Sequence, residues 1–182
     1  MKLLARITDL KVTGDVAAEL EQVSRHASRG VLWKDDMQVA MMYMSTVNVY
    51  KLPGGGVDEG EDIEAAFIRE IREETGFEAE ITHALGIVDE HKQRTGFLQR
   101  SYCYMARAIR QLGAAALTEN ETELGMYAVW MPVGQALDAL DASLRDSDDY
   151  ALRFMVMRDK RILEEASRVL LGKAGPRNEG SR

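Results

Sequence analysis

The chain has 182 residues, of which 46% are hydrophobic and 29% are charged, and its formal net charge is −7. A chain of this length and composition can bury a hydrophobic core, so we expect one globular domain. Because the net charge is negative and no segment concentrates lysine and arginine, the composition argues against a general nucleic-acid binder. The single cysteine, Cys103, rules out an intramolecular disulfide and is typical of a reducing compartment.

The amino-terminal segment, residues 1–11, shows no membrane-spanning or signal pattern. Arg6 and Asp9 interrupt it before any apolar run forms, and no stretch of the chain approaches the roughly 18 apolar residues that a membrane span needs. We therefore expect a soluble, unprocessed, cytoplasmic protein that does not bind a membrane.

The first half of the chain reads mainly as strands. Residues 2–13 alternate loosely and predict a strand, and residues 15–22 predict a short helical turn. Two β-rich apolar runs follow within residues 25–45, and the polar residues 34–36 between them predict a hairpin turn.

Three consecutive glycines, residues 54–56, follow Pro53 at the centre of the chain. Glycine tolerates positive φ, and it brings backbone carbonyls close to a ligand without side-chain interference. A helix is predicted to begin near Glu61, after an acidic turn that suits the positive end of the helix dipole. It is predicted to end near Gly76, which reads as a left-handed residue after the last helical turn.

This helix carries acids on its apolar side. Apolar residues recur at i, i+4 and i+8, at Ile63, Phe67 and Ile71. Glu70 and Glu74 lie on or beside this stripe, and Glu73 lies one step further round, so all three carboxylates can reach one point. Like charges this close repel one another unless a cation lies among them. A solvated acidic helix is the alternative, but solvated acids should avoid the apolar side.

The second half of the chain predicts more strands and two helices. Strands are predicted at 77–92 and 98–110, joined by a polar turn. A small-residue loop then leads to a final strand at 126–131, and a helix is predicted at 133–140. A long amphipathic helix is predicted from Ser147, as its N-cap, to about residue 171.

The domain organisation is simple. The chain has no internal repeat, long heptad run or low-complexity segment. We expect a single domain at residues 1–172 and a disordered carboxyl-terminal tail at residues 173–182. Periodicity alone supports an α/β and an α+β arrangement equally, with helices on both sides of a sheet.

The spacing of the central motif resembles that of a known family. Gly55 is followed by five residues and Glu61, then by seven residues and the run REIREETGF, which ends at Phe77. This pattern is similar to the Nudix box at every defined position, and it covers 23 residues directly. A looser similarity extends over about residues 25–166. The resemblance implies a Nudix-type α/β/α sandwich with a mixed, curved sheet between helices.

The resemblance also implies an activity. Nudix hydrolases use Mg²⁺ or Mn²⁺ to hydrolyse a nucleoside diphosphate linked to another moiety, by attack of water on phosphorus. We therefore expect a small-molecule nucleotide or diphosphate substrate, such as a nucleoside triphosphate or a nucleotide sugar; a homodimer is compatible with the sequence. The alternative is a catalytically silent nucleotide-binding or regulatory Nudix module. Silent relatives commonly lose a glutamate of the box, whereas this chain keeps every one.

The expected site residues are oxygen donors, as hard cations require. The predicted metal ligands are the Gly55 carbonyl and the carboxylates of Glu70, Glu73, Glu74 and a loop acid, Glu123. By similarity to the family, Glu73 and Glu74 are the principal ligands and Glu70 is also the catalytic base; Glu121 is the alternative loop acid. Arg69 follows Glu61 by eight residues and precedes Glu73 by four, so these spacings predict that Arg69 bridges and orients the acids, with Glu61 in the same supporting role.

The sequence does not select a substrate. Relatives that prefer ADP-ribose resemble one another in a proline that Lys92 or Gln93 replaces here, and relatives that prefer dinucleoside polyphosphates carry a tyrosine where this chain has Thr95. The NADH-type array and the coenzyme A pattern are also absent from the sequence. Four aromatic residues could stack on a base: Trp33, Tyr50, Phe97 and Trp130.

Overall fold

The computed structural model describes residues 1–16 and 18–173, and within them it shows eight strands. The predicted tail lies outside the described residues except for Lys173, which ends the last helix. The strands are β1 (Leu3–Thr8), β2 (Arg25–Trp33), β3 (Gln38–Met44), β4 (Val49–Lys51), β5 (Gly54–Gly56), β6 (Phe77–Lys92), β7 (Phe97–Gln111) and β8 (Met126–Pro132). The α-helices are α1 (Asp9–Val12), α2 (Ile63–Thr75), α3 (Glu119–Glu123), α4 (Val133–Asp146) and α5 (Tyr150–Lys173), and a short 3₁₀ turn spans Gln93–Thr95.

The strands form one mixed, curved sheet, which confirms the predicted α/β/α architecture. Its order is β1-β6-β7-β2-β3-β4, with β5 paired to β2 and β8 paired to β3. The β1–β6 and β2–β7 pairs are parallel, and the other pairs are antiparallel. Strands β2 and β3 pair only at Trp33 and Val39, so the sheet divides there and leaves room for the glycine strand β5 beside β2.

Helices cover both faces of the sheet, each over its own hydrophobic core. On one face, the fully buried Phe67 and Ile71 of α2 pack on a cluster that includes Leu32 and Tyr104. On the other face, α4 and α5 cover the larger cluster, to which α5 contributes Phe154 and other buried side chains. The apolar stripe predicted for α2 therefore faces the core, as its spacing indicates. No described helix combines the length and the apolar character that a membrane crossing requires.

The segment near the amino terminus differs from the prediction. Strand β1 ends at Thr8 and a single helical turn, α1, follows, whereas the described residues of 15–22 are not helical. Tertiary contacts hold this segment instead: Asp15 pairs with Arg94, and the Leu20 N–H donates to His91 Nδ1 at 3.1 Å. These partners are distant in sequence, so local propensity could not reveal them.

The carboxyl-terminal helices also differ at their ends. Helix α4 continues six residues beyond the predicted residue 140, to Asp146, and Ser147 is its C-cap. Asp149, and not Ser147, caps the start of α5, since its Oδ1 accepts the Leu152 N–H at 2.8 Å. Several residues of this stretch are good caps by type, so composition could not choose between them.

Candidate functional site

Helix α2 presents the acidic side chains, and its ends are fixed by local signals. Asp62 is the N-cap and accepts the Glu64 and Ala65 N–H groups at 2.9 and 3.0 Å. Gly76 ends the helix in the left-handed conformation, at φ 73°, as predicted. The helix begins at Ile63, two residues later than the prediction near Glu61.

Arg69 connects the acids of the site. Its Nε and Nη2 contact the two carboxylate oxygens of Glu61 at 2.8 and 2.9 Å. Its Nη1 contacts Glu70 Oε1 at 2.9 Å and Glu73 Oε2 at 3.1 Å. Its Nη2 also donates to the Gly56 carbonyl at 3.0 Å, so one guanidinium ties the glycine strand to the helix. The hydrogen bonds of Arg69 lower the pKa of Glu61 to about 2.

Glu70 lies against the glycine strand. Its side chain is largely buried, and burial raises the pKa of Glu70 above the usual range, while Arg69 opposes the shift. A Cβ on Gly55 would lie 2.4 Å from Glu70 Oε1, so only glycine allows this approach. Because Gly55 has no side chain, the Glu70 carboxylate can occupy the space beside it.

Glu74 is the most buried of the three carboxylates, at 1% exposed. Lys51 Nζ lies 2.5 Å from its Oε1, and the Gly54 N–H donates to its Oε2 at 2.8 Å. Burial raises the pKa of Glu74, and the adjacent Lys51 opposes that shift. Lys51 Nζ also lies 3.4 Å from the Gly54 carbonyl, so the carboxylate and the carbonyl share one cation.

Among the three glycines, only Gly54 has a positive φ, at 133°. A Cβ there would lie 2.3 Å from Arg29 Cβ, so this position needs glycine both for its φ and for the space. The Gly54 carbonyl faces the Lys51 ammonium, whereas Gly55 is the register partner of Ser28 in the β2–β5 pair. The ligand role of the Gly55 carbonyl stays a prediction, and Gly54 joins it as a candidate.

The two loop acids lie on α3. Glu121 closes a capping box with Thr118, which occupies its carboxylate locally. Glu123 is exposed, and its side chain has no hydrogen-bond or ion-pair partner within the part of the chain that the structure describes. The structure does not bring either acid into contact with Glu70, Glu73 or Glu74, and the ligand role of Glu123 stays a prediction.

The donor set fits a hard divalent cation by its chemistry. It offers carboxylate and carbonyl oxygens, which Mg²⁺ and Mn²⁺ prefer. Across residues 1–16 and 18–173, no three acidic, histidine or cysteine side chains already have the arrangement of a metal site. Within this site, Arg69 pairs with Glu70 and Glu73, and Lys51 pairs with Glu74.

Residues 52–56, which comprise Leu52, Pro53 and the three glycines, are called the glycine turn here. Three residues that contact the glycine turn were missed by the sequence analysis. Lys51 and Arg29 contact the Gly54 carbonyl, and Asp159 accepts the Leu52 N–H. Lys51 carried a usable signal, because it stands just before the glycines in a site otherwise made of acids. Arg29 and Asp159 carried none, since nothing in their local sequence links them to the turn.

The comparisons with known proteins agree with the fold and the motif. The model of the NUDIX domain matches residues 24–153, which is more than half of the chain. The chain therefore belongs to the Nudix family.

Individual relatives are distant. Nudix hydrolase 7 of Arabidopsis thaliana is 33% identical over 91 residues, which covers 50% of this chain and 31% of the relative. The chain covers at most 42% of the length of the curated relatives that it matches. Among solved structures, a NUDIX hydrolase from Nitrosomonas europaea has a TM-score of 0.57 at 15% identity, over 87% of this chain and 96% of that one. A UDP-X diphosphatase has a TM-score of 0.53 at 16% identity, over 90% and 68%. These structural similarities concern the fold alone.

Proposed function

We propose that the protein is a divalent-metal-dependent pyrophosphohydrolase that acts on a nucleoside diphosphate linked to another moiety. A nucleoside triphosphate and a nucleotide sugar both meet this description. Glu74 contacts Gly54, Glu70 lies against Gly55, and Arg69 links Glu70 to Glu73. This placement of three carboxylates carries the proposal, because hydrolysis of a diphosphate needs charge neutralisation and an oriented water. Membership of the Nudix family supports this activity.

Each residue of the site would have a distinct role in the proposed reaction. Glu73, Glu74 and a glycine carbonyl would hold Mg²⁺ or Mn²⁺, with Glu70 beside them. The bound ion would neutralise charge on the diphosphate oxygens. Glu70 would accept the proton of the attacking water, and the raised pKa that burial gives it makes it a stronger base than an exposed glutamate. Arg69 would keep Glu61 and Glu73 in place around it.

Charge and size support a small substrate. The net charge of −7 disfavours long runs of phosphate, so we propose a free nucleotide derivative and not a nucleic acid as the substrate. A cytoplasmic location remains part of the same proposal, since a reducing compartment suits the buried free thiol of Cys103.

Hydrolysis of a substrate panel tests the function. Nucleoside triphosphates and nucleotide sugars are incubated with the protein and Mg²⁺, and phosphate is measured after coupling to a phosphatase. We expect turnover of at least one compound, its loss in excess EDTA, and its return with Mg²⁺ or Mn²⁺. Full activity in excess EDTA would contradict the metal-dependent mechanism, and tight binding without turnover would favour the silent module.

A further inference from the structure

The glycine turn is held from two sides of the sheet. On the α2 side, Glu74 accepts the Gly54 N–H and Lys51 contacts the Gly54 carbonyl. On the α5 side, Asp159 Oδ2 accepts the Leu52 N–H at 2.9 Å. Arg29 Nη1 also donates to the Gly54 carbonyl from this side, at 3.4 Å. The backbone that faces the acids is therefore fixed partly by a helix that carries none of the predicted ligands.

Asp159 is a buried carboxylate with both oxygens in use. Its side chain is 0% exposed, and its Oδ1 accepts the Arg158 Nε–H at 2.7 Å. Arg158 Nη1 contacts Glu90 Oε2 at 3.1 Å, and Gln99 donates to the same oxygen at 2.7 Å. Burying a charge is unfavourable unless it is paired and hydrogen-bonded, and this network supplies both conditions. The Leu52 N–H is thus held by an acceptor that is itself fixed.

We infer that Asp159 is a positioning residue for the cation site of the proposed hydrolase. By holding Leu52, two residues before Gly54, it fixes the backbone of the glycine turn and so keeps the Gly54 N–H on Glu74. The inference rests on the proposed function, because it concerns the same site. The inference goes beyond the proposed function because it assigns part of the cation site to helix α5.

The chemistry of Asp159 explains why a carboxylate is needed. Both oxygens accept hydrogen bonds, one from Arg158 Nε and one from the Leu52 N–H. An asparagine has one acceptor oxygen, and its amide nitrogen would meet a second donor. The Asp159→Asn variant therefore preserves the shape of the side chain. It loses either the acceptor of the Leu52 N–H or the ion pair with Arg158 that fixes this acceptor, and both losses loosen the hold on Leu52.

The test measures ion binding without activity. Mn²⁺ binding is titrated by water-proton relaxation in the wild type, in Asp159→Asn and in Ile162→Ala, and each melting temperature is recorded. Ile162 is a matched control, because it is fully buried on the same helix and belongs to the hydrophobic core. We expect Asp159→Asn to weaken Mn²⁺ binding about 10- to 100-fold, the range for residues that support metal ligands. Ile162→Ala should lower the melting temperature and leave Mn²⁺ affinity unchanged.

Several results would overturn the inference. Wild-type Mn²⁺ affinity in Asp159→Asn, or equal weakening by Ile162→Ala, would show that Asp159 only stabilises the fold. Absence of Mn²⁺ binding by the wild type would reject the proposed function together with the inference. If Asp159→Asn does not fold, Arg158→Lys replaces it, since one ammonium cannot hold Asp159 and Glu90 in the geometry of the guanidinium. Mn²⁺ affinity should then fall in the same direction, and unchanged affinity would count against the inference.

Discussion

Glu70 is the carboxylate on which the proposed reaction depends most. It is central in the cluster, and its burial strengthens it as a base while Arg69 keeps it close to a positive charge. Loss of a general base typically costs about 10²- to 10⁴-fold in rate, so Glu70→Gln should lower kcat by that amount. Mn²⁺ affinity should fall much less, because Glu73, Glu74 and a glycine carbonyl would still supply ligand oxygens. Steady-state kinetics and Mn²⁺ titration on the same variant measure the two effects.

The neighbouring acids and one exposed acid supply the controls. Glu73→Gln and Glu74→Gln should weaken Mn²⁺ binding, and high Mg²⁺ should restore part of their activity. Glu64 lies exposed in the first turn of the same helix, so Glu64→Gln should change neither quantity. Near wild-type kcat in Glu70→Gln at saturating metal would place the base elsewhere. Glu123 would then be the next candidate, since Glu121 is engaged in its capping box.

At the scale of elements, the contact between β4 and α2 joins a lysine to a buried acid. Lys51→Met removes the cation beside Glu74, whose side chain is 1% exposed. Breaking a buried ion pair on one side costs about 3–5 kcal/mol, so without divalent ions the free energy of unfolding should fall by about that amount. Added Mg²⁺ should recover part of the loss, because a bound ion would neutralise the same carboxylate. Urea denaturation with EDTA and with Mg²⁺ measures both effects.

Lys160→Met is the matched control for this variant. Lys160 pairs with Asp141 in a partly exposed position, and exposed pairs contribute about 0–1 kcal/mol. Its removal should therefore change stability little, with or without Mg²⁺. If Lys51→Met were as stable as the wild type in EDTA, Lys51 would not be the counter-charge of Glu74.

The elements differ in how far the sequence could predict them. Helix α2 was predictable because an acidic lead-in, an apolar stripe and Gly76 are all local signals. The contacts of Arg69 with Glu61 and Glu73 agree with the predicted spacing, whereas its contacts with Glu70 and the Gly56 carbonyl were not predicted. By contrast, Lys51, Arg29 and Asp159 reach their partners across 23, 25 and 107 residues of chain. Such contacts are set by how strands and helices pack, which periodicity does not encode.

At the scale of the whole molecule, the buried charges should govern stability in acid. Burial alone would raise the pKa of Glu90, but the attraction of Arg158, Lys92 and Arg29 outweighs it, and the pKa is lowered. A lowered pKa in the folded state contributes stability above the ordinary glutamate pKa of about 4.3. That stability is lost as the pH falls through the folded-state pKa. We expect Glu90→Gln to reduce the free energy of unfolding at neutral pH by about 3 kcal/mol.

The same variant should also show a weaker dependence of stability on pH below about 4.3. Urea denaturation across a pH series measures this slope, and Glu64→Gln serves as the exposed control. If the free energy of unfolding of Glu90→Gln fell with decreasing pH as steeply as that of the wild type, other carboxylates would be responsible for the loss of stability in acid.

The stretch that matches the NUDIX domain is shorter than the part of the chain that packs around the site. Strand β1 and residues 154–173 of α5 lie outside the matched stretch 24–153. Strand β1 pairs with β6 from Ile87 to His91, and α5 supplies Asp159. A protein shortened to the matched stretch would present β6 as an open strand edge, prone to pair with other chains, and would leave the larger core uncovered. The stretch that matches the NUDIX domain and the part of the chain that completes the sheet and the larger core thus have different boundaries, and engineering or transplanting the site requires the wider one.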